Sequence, residues 1–431
     1  MRILVTGAYG FIGSQIVTAL NKKGHDILCA VRKPGSTTRF AHLDAVECDF
    51  SKDINTDIWI PKLKDVDAVV NCAGILHETA GQTFDTVHYK TPKALFDACK
   101  QAGIKKIIQI SAIGNPYDVE FIHSKHNADN YLSSLDLEWV IIRPSIVYSA
   151  AGSYGGTSLL RALSAIPFVL LLPGSGKQKI QPISANDLAM TVVKALDNSS
   201  CDRQIIEAVG AEIMNFEDYL RQFRKWLGFS EPLFVFRVPL FLIKPVVLLG
   251  EWFGKGPLGK TMYRMLQRGN AGSEGAADRF NEVVGFRTKS VTEALSESPS
   301  FVQDRWHARL YLLRPVLRLF IAFLWIASGI VGFLVPLNEI QSILTQTGIN
   351  AAMVAPLVYA SSSMDLILGG LVLFRKFMAF AGTLMVFSLL AYTIFIGTFL
   401  PDLWLEPFGA LIKNIPLIPS VLIMMVIDDI R

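Results

Sequence analysis

The chain opens MRILVTGAYGFIGSQIVTALNKKGHDILCAVRK (residues 1–33), and its fold is decided there. Residues 2–6 are a short apolar, β-branched run, residues 12–23 place apolar side chains at helical spacing, and residues 26–31 return to strand character. Gly7, Gly10 and Gly13 fall between the first strand and the helix, where their small size permits a tight turn and close approach of the backbone to a pyrophosphate. Phe11 and Ile12 stand at the entry to the helix, whose N-terminal amides and dipole favour an anion. Three glycines at this spacing, after a strand and before a helix, point to dinucleotide binding.

The second strand runs out into Val31-Arg32-Lys33 rather than an acid. An acid there would bond a ribose 2′-hydroxyl, whereas Arg32 accommodates a 2′-phosphate, so NADP(H) is expected over NAD(H). Asp49 closes the third strand and is a candidate for the adenine ring, with a capping or turn role as the alternative.

Moving outward, residues 45–48, 68–71, 105–111 and 139–143 read as further strands and 91–102 as a helix. DAVVNCAG and KKIIQIS are almost continuously apolar, as strands buried on both faces should be. The expected class is α/β, a doubly wound parallel Rossmann sheet over residues 1–230. Residues 231–308 are expected to form a membrane-proximal substrate or cap region. Within them residues 232–254 are strongly apolar but interrupted by Arg237, Pro239, Lys244 and Pro245, which suggests an interfacial segment; a buried core helix is the alternative.

The whole chain has 431 residues, 51% of them apolar and only 18% charged. Of its 41 Lys and Arg and 37 Asp and Glu, only 12 lie in residues 310–431, so the apolar excess is C-terminal. No basic run tracks a phosphate backbone, which argues against nucleic acid as a partner. Five cysteines without metal spacing suggest a reducing compartment, no disulfide and no metal site. The N-terminus lacks the apolar core of a cleaved signal peptide.

Four apolar stretches follow, at 317–335, 353–374, 377–400 and 408–427, each long enough to cross a bilayer as a helix. Arg305, Arg309, Arg314 and Arg318 precede the first, Arg375 and Lys376 join the second to the third, and residues 336–350 hold no Lys or Arg. The nucleotide domain and both termini are therefore expected in the cytoplasm, with the rest multi-pass in the cell inner membrane; Lys413 is a mild exception. Asp365 falls mid-span, where an ionisable group costs about 2.5–3.5 kcal/mol on insertion scales. It is expected to face the bundle interior, with Ser361, Ser362 and Ser363 as hydroxyl partners, and to serve a proton, quinone or partner contact or a bond between helices.

TGAYGFIG at residues 6–13, Asn71-Cys72-Ala73-Gly74 after the fourth strand, Ser111 after the fifth, Lys125, and Arg143 through Tyr148 including Pro144 together resemble the atypical, extended short-chain dehydrogenase/reductase superfamily. The branch that includes the accessory nucleotide-binding subunit of respiratory complex I is the nearest resemblance. The C-terminal stretches resemble the DoxX-like four-helix membrane family. The first resemblance implies cofactor contacts from Cys72, Ala73, Gly74, Lys125 and Pro144. Catalysis would use a Tyr-x-x-x-Lys pair and a serine, the tyrosine acting as general acid or base.

The departures matter more than the match. Phe121 stands four residues before Lys125, and a phenyl ring cannot transfer a proton. Ser111 is one or two positions early for the serine, and His88 stands where a helix asparagine is usual. Tyr117, His123 and His126 are close enough in sequence to substitute; otherwise the histidines are surface or capping residues. The catalytic candidates are therefore Lys125, Ser111 and Tyr117. The expected function is an NADP(H)-binding, membrane-anchored oxidoreductase acting on a quinone, lipid or other apolar redox substrate, with a membrane protein as a possible partner. The alternatives are a non-catalytic nucleotide-binding accessory module and an epimerase or isomerase on a lipid-like substrate.

Overall fold

The structure, a computed structural model, describes residues 1–36, 40–252, 259–405, 407, 409 and 411–428; the side chains of residues 246 and 248–252 lie outside the description. The chain divides into two compact units, Met1–Ala308 and Arg309–Arg431.

The first unit is built on seven parallel strands, β1 (Arg2–Thr6), β2 (Asp26–Val31), β3 (Asp44–Glu47), β4 (Ala68–Asn71), β5 (Lys106–Ile110), β6 (Glu138–Pro144) and β7 (Gln204–Ala208), in the order β7-β6-β5-β4-β1-β2-β3. Successive side chains of β1 feed opposite faces. Ile3 and Val5 pack with Ile16, Val17 and Leu20 of the helix Phe11–Lys22, while Leu4 joins Trp59, Leu95 and Phe96 beneath the sheet. Strand order reverses between β1 and β4, and the crevice at such a switch point is where open α/β sheets bind ligands. The seventh strand is not among those expected from sequence. As an edge strand it buries Ile206 and Ala208 and leaves Gln204 and Ile205 exposed, so it lacks the two-sided apolar run of its neighbours.

Beyond the sheet, the strand Phe234–Val238 pairs in parallel with Val169–Pro173 and leads into the helix Leu240–Trp252. The single interfacial segment expected at 232–254 is thus two elements, and its last two residues lie outside the description. A third core forms here around Tyr148, Phe216, Tyr219 and Phe223.

In the second unit, Ala351–Val372 and Met378–Phe399 follow a helix, Val302–Leu334, that begins in the first unit. These three, with Arg375–Phe377 extending the last, are long and apolar enough to cross a membrane. The fourth apolar stretch corrects the expectation of a full-length span. Its helix, Asn414–Ile427, has 14 residues, which at about 1.5 Å each is shorter than a hydrocarbon core of about 30 Å. Its end is nevertheless tied to the first membrane helix, because Asp428 pairs with Arg314 at 3.2 Å and Arg318 at 2.9 Å and its carbonyl accepts from Arg375. Asp365 is held by the Ser328 hydroxyl of the helix Val302–Leu334 at 2.8 Å, not by the neighbouring serines. Ser362 instead packs where a side chain at Gly332 would lie.

Candidate active site

The glycine turn has the geometry its spacing implies. Gly7 takes a φ of +61°, and a Cβ on it would press on the backbone of Ala73 and Cys72 at 3.1 Å. A Cβ on Gly13 would collide with the Gly7 carbonyl, and Gly10 N–H closes the turn onto that carbonyl at 2.9 Å. Phe11 and Ile12 form the first helical turn at the crevice. Backbone atoms thus line a cradle that side chains would fill, and this fits a dinucleotide pyrophosphate.

The floor of the crevice is tied by a polar ladder across the strand ends. The Thr6 hydroxyl donates to Asn71 Oδ1 at 2.5 Å and accepts from Cys72 N–H, while Asn71 Nδ2 donates to Gln109 Oε1 at 2.7 Å. These residues face one another in register on β1, β4 and β5. Burial pushes the Cys72 thiol up to about 12, so it stays protonated and is no nucleophile at neutral pH.

At the rim, Arg32 is exposed at the end of β2, open to a ligand. Asp49 accepts from Ser51 N–H at 3.0 Å and Ser51 Oγ at 2.6 Å, a turn-holding role. Burial pushes the Asp49 carboxyl up, but these bonds with Lys52 and Arg32 outweigh it and hold it below its usual range.

Beyond β4 the chain makes a wide π-turn, Asp85–Lys90, before the helix Thr91–Ala102. The turn carries His88, which is 1% exposed. Ile75 N–H donates to its Nε2 at 3.0 Å, so the proton sits on Nδ1 and is donated to Ser124 Oγ, also at 3.0 Å. Burial, then the Lys125 charge, push its pKa well below the usual value, and the ring is neutral. Phe84 stacks on it and Phe121 meets it edge-on, both with centroids 5.4 Å away. Phe121 is therefore one wall of an aromatic cluster.

Lys125 lies beneath Gly74, whose Cβ would come within 3.4 Å of both Lys125 Nζ and His88 Nε2. Its ammonium donates to the Ile110 carbonyl at 3.0 Å, and burial drags its pKa down to about 8 against the opposing pull of Asp129 and Cys72. Ser111 donates to Asp129 Oδ2 at 2.7 Å, an oxygen that also accepts from Arg143 Nε at 2.9 Å. Burial raises the Asp129 pKa despite Arg143. Pro144 ends β6, its carbonyl accepting from Ile113 N–H.

The structure separates the other candidates from this cluster. On the helix Glu120–Ser133, Lys125 and Phe121 share one face, while His123, His126 and Asn130 follow the opposite one at helical spacing. With Gly114, Tyr117 and Arg143 they border an open cleft of about 420 Å³. Tyr117 is 91% exposed, and His126 Nε2 donates to the Ala112 carbonyl at 3.0 Å. His88 and His126 are buried rather than surface residues. Ser124 and Asp129 were not singled out from sequence, and Asn71 only as part of the motif after the fourth strand; the four-residue step from Lys125 to Asp129 was the available signal.

Residues 7–199 match a family described as NAD(P)H-binding and residues 322–422 the DoxX-like family. A UDP-glucose 4-epimerase from Vibrio cholerae is 26% identical over 294 residues, covering 62% of this chain and 86% of that protein. Mitochondrial NADH dehydrogenase (ubiquinone) 1 alpha subcomplex subunit 9 from Arabidopsis thaliana is 25% identical over 220 residues; the match covers 48% of this chain and 54% of that protein. Among solved structures, an NADPH-dependent quinone oxidoreductase from Escherichia coli shares the fold at a TM-score of 0.53 and 16% identity, over 68% of this chain and 99% of that one. The chain thus joins an NAD(P)-binding domain of the extended short-chain dehydrogenase/reductase type to a C-terminal DoxX-like domain.

Proposed function

We propose that this protein is a membrane-anchored, NADP(H)-dependent oxidoreductase whose acceptor is a quinone or similar apolar molecule that takes up a hydride without a proton-donating side chain beside it. The observation that carries this reading is Phe121 packed against His88 where the tyrosine of the resembled family would stand, with Lys125 retained. The bound cofactor supplies a hydride. Gly7, Gly10 and Gly13 admit its pyrophosphate, the helix beginning at Phe11 faces that anion, Arg32 meets the 2′-phosphate, and Lys125 beneath Gly74 bonds the ribose.

A ketone that accepts a hydride becomes a localised alkoxide and needs a proton as that charge develops. A quinone becomes a hydroquinone anion whose charge is spread over the ring, and it can take its proton from water. The balance is NADPH, quinone and one proton giving NADP⁺ and quinol. Phe84, Phe121 and neutral His88 offer such a ring an apolar wall. The named activity of the E. coli protein is of this kind, which supports the reading at the level of fold. The reading places the nucleotide domain and both ends on the cytoplasmic side of the inner membrane, supported by the arginines gathered at one end of the bundle.

The test is NADPH oxidation by detergent-purified full-length protein, with a water-soluble quinone and with a panel of ketones and aldehydes. Quinone-dependent oxidation with little carbonyl turnover is expected. Robust carbonyl turnover, or bound NADPH that no quinone oxidises, would overturn it. The second outcome would favour a nucleotide-binding accessory module, a reading supported by the commitment of the Ser111 hydroxyl to Asp129.

A further inference from the structure

A second cavity, of about 230 Å³, lies in the first unit away from the crevice. Among the described residues, every one that lines it is apolar; Leu160, Leu163, Leu171, Phe216, Met262 and Leu266 form much of the wall. Native interiors rarely hold a void larger than a water, and a cavity of about 150 Å³ lined by such side chains stays dry and takes up benzene or xenon. This one is larger still. Leu242 both lines it and is 55% exposed, so it opens along the helix Leu240–Trp252. Around that side Leu233, Phe234, Phe236 and Phe241 are exposed, and Lys244 is an exposed cation two residues beyond Leu242. Apolar surface with a cation at its edge suits an amphiphile.

One helix ties the cavity to the loop at the open cleft. Met262 and Leu266 of the helix Lys260–Arg268 line the cavity, and Arg268 at its end bonds Asp118 at 2.6 Å in the loop that borders the cleft. Met262 also fills the space where a side chain at Gly156 would lie.

We propose that this cavity holds the aliphatic chain of a membrane amphiphile, tail inside and polar head at the mouth beside Lys244. This goes beyond the oxidoreductase reading and does not rest on it, since among the described residues the cavity and the crevice share no lining residue. Full-length protein in detergent is incubated with a palmitate analogue carrying a diazirine on its chain, irradiated, and its adducts are mapped by peptide mass spectrometry. Adducts are expected on peptides carrying Leu159, Leu163, Leu242 or Met262, competed by unlabelled palmitate. In Leu163→Trp and Leu266→Phe, which fill the cavity, they should fall about tenfold or more, while adducts in residues 317–427 persist. Adducts confined to residues 317–427, or undiminished in both variants, overturn the proposal. If both variants misfold, the map on the unmodified protein decides. NADPH binding is measured on the same samples; its absence with cavity adducts retained would remove the oxidoreductase reading and leave this one standing.

Discussion

Replacing Lys125 with methionine should stabilise the first unit at neutral pH while weakening its hold on the nucleotide. The ammonium is buried beneath Gly74 with its pKa near 8 instead of the usual 10.5. Each tenfold change in proton affinity is worth about 1.4 kcal/mol, so carrying the proton at pH 7 costs the folded unit about 3 kcal/mol. Methionine removes that cost, fills much of the same volume, and gives up the bond to the Ile110 carbonyl, worth about 1 kcal/mol. The net gain is about 2 kcal/mol, or about 4 °C in melting temperature for a unit of this size.

The pH dependence follows from the same numbers. Between about pH 8 and 10.4 the unfolded chain holds this proton and the folded unit does not, so wild-type stability rises with pH across that window. Methionine has no proton to lose, and the gap should close by about pH 10. All five cysteines lie in the first unit, and four of them are buried. A thiol-reactive fluorogenic dye therefore reports the melting of that unit in the intact membrane protein. A variant that melts below wild type at pH 7, or a gap of the same size at pH 10, would refute the reasoning.

Other substitutions probe other parts. Arg32→Asp should weaken NADP(H) binding about ten- to a hundredfold, the worth of a charged hydrogen bond, and spare NAD(H); calorimetry showing equal losses for both would remove Arg32 from cofactor choice. Gly13→Ala should abolish binding of either nucleotide, because its Cβ runs into the Gly7 carbonyl; unchanged affinity would mean that the turn does not hold the pyrophosphate. Phe121→Tyr should raise carbonyl turnover and leave quinone turnover unchanged, as read from NADPH oxidation with each acceptor. Reporter fusions at Asn350 and after Arg431 should report opposite sides of the membrane, since Asp428 meets Arg314 and Arg318 at one end of the bundle. The same side for both would mean that the short last helix does not cross.

The elements legible in the sequence were those whose pattern is set by burial on both sides or by a required turn. Residues 26–31, 68–71 and 91–102 fall on strands and a helix with the same bounds, and the glycine turn has the shape its spacing implies. Gln204–Ala208 escaped because an edge strand buries only one face. The partner of Asp365 was sought among adjacent serines, whereas the structure supplies Ser328, 37 residues earlier; which helices pack together is not written in local spacing. At the site, Lys125 and Phe121 could be read from a motif, but the neutrality of His88 depends on an amide 13 residues away and a serine 36 away. The opposite facing of His123 and His126 follows from helical periodicity once Glu120–Ser133 is known to be a helix.

The π-turn at Asp85–Lys90 makes the register of His88 a matter of chain length. A turn of this kind carries one residue more than regular α-helical winding would need, and each residue of an α-helix advances the side chains by about 100°. Shortening the segment by one residue would relax it to ordinary helix and swing position 88 off the line joining Ile75 N–H to Ser124 Oγ, with no side chain replaced. The aromatic wall formed with Phe84 and Phe121 would come apart in the same movement. An insertion or deletion here would therefore act as a switch on the site, whereas the same change in an exposed loop would pass unnoticed.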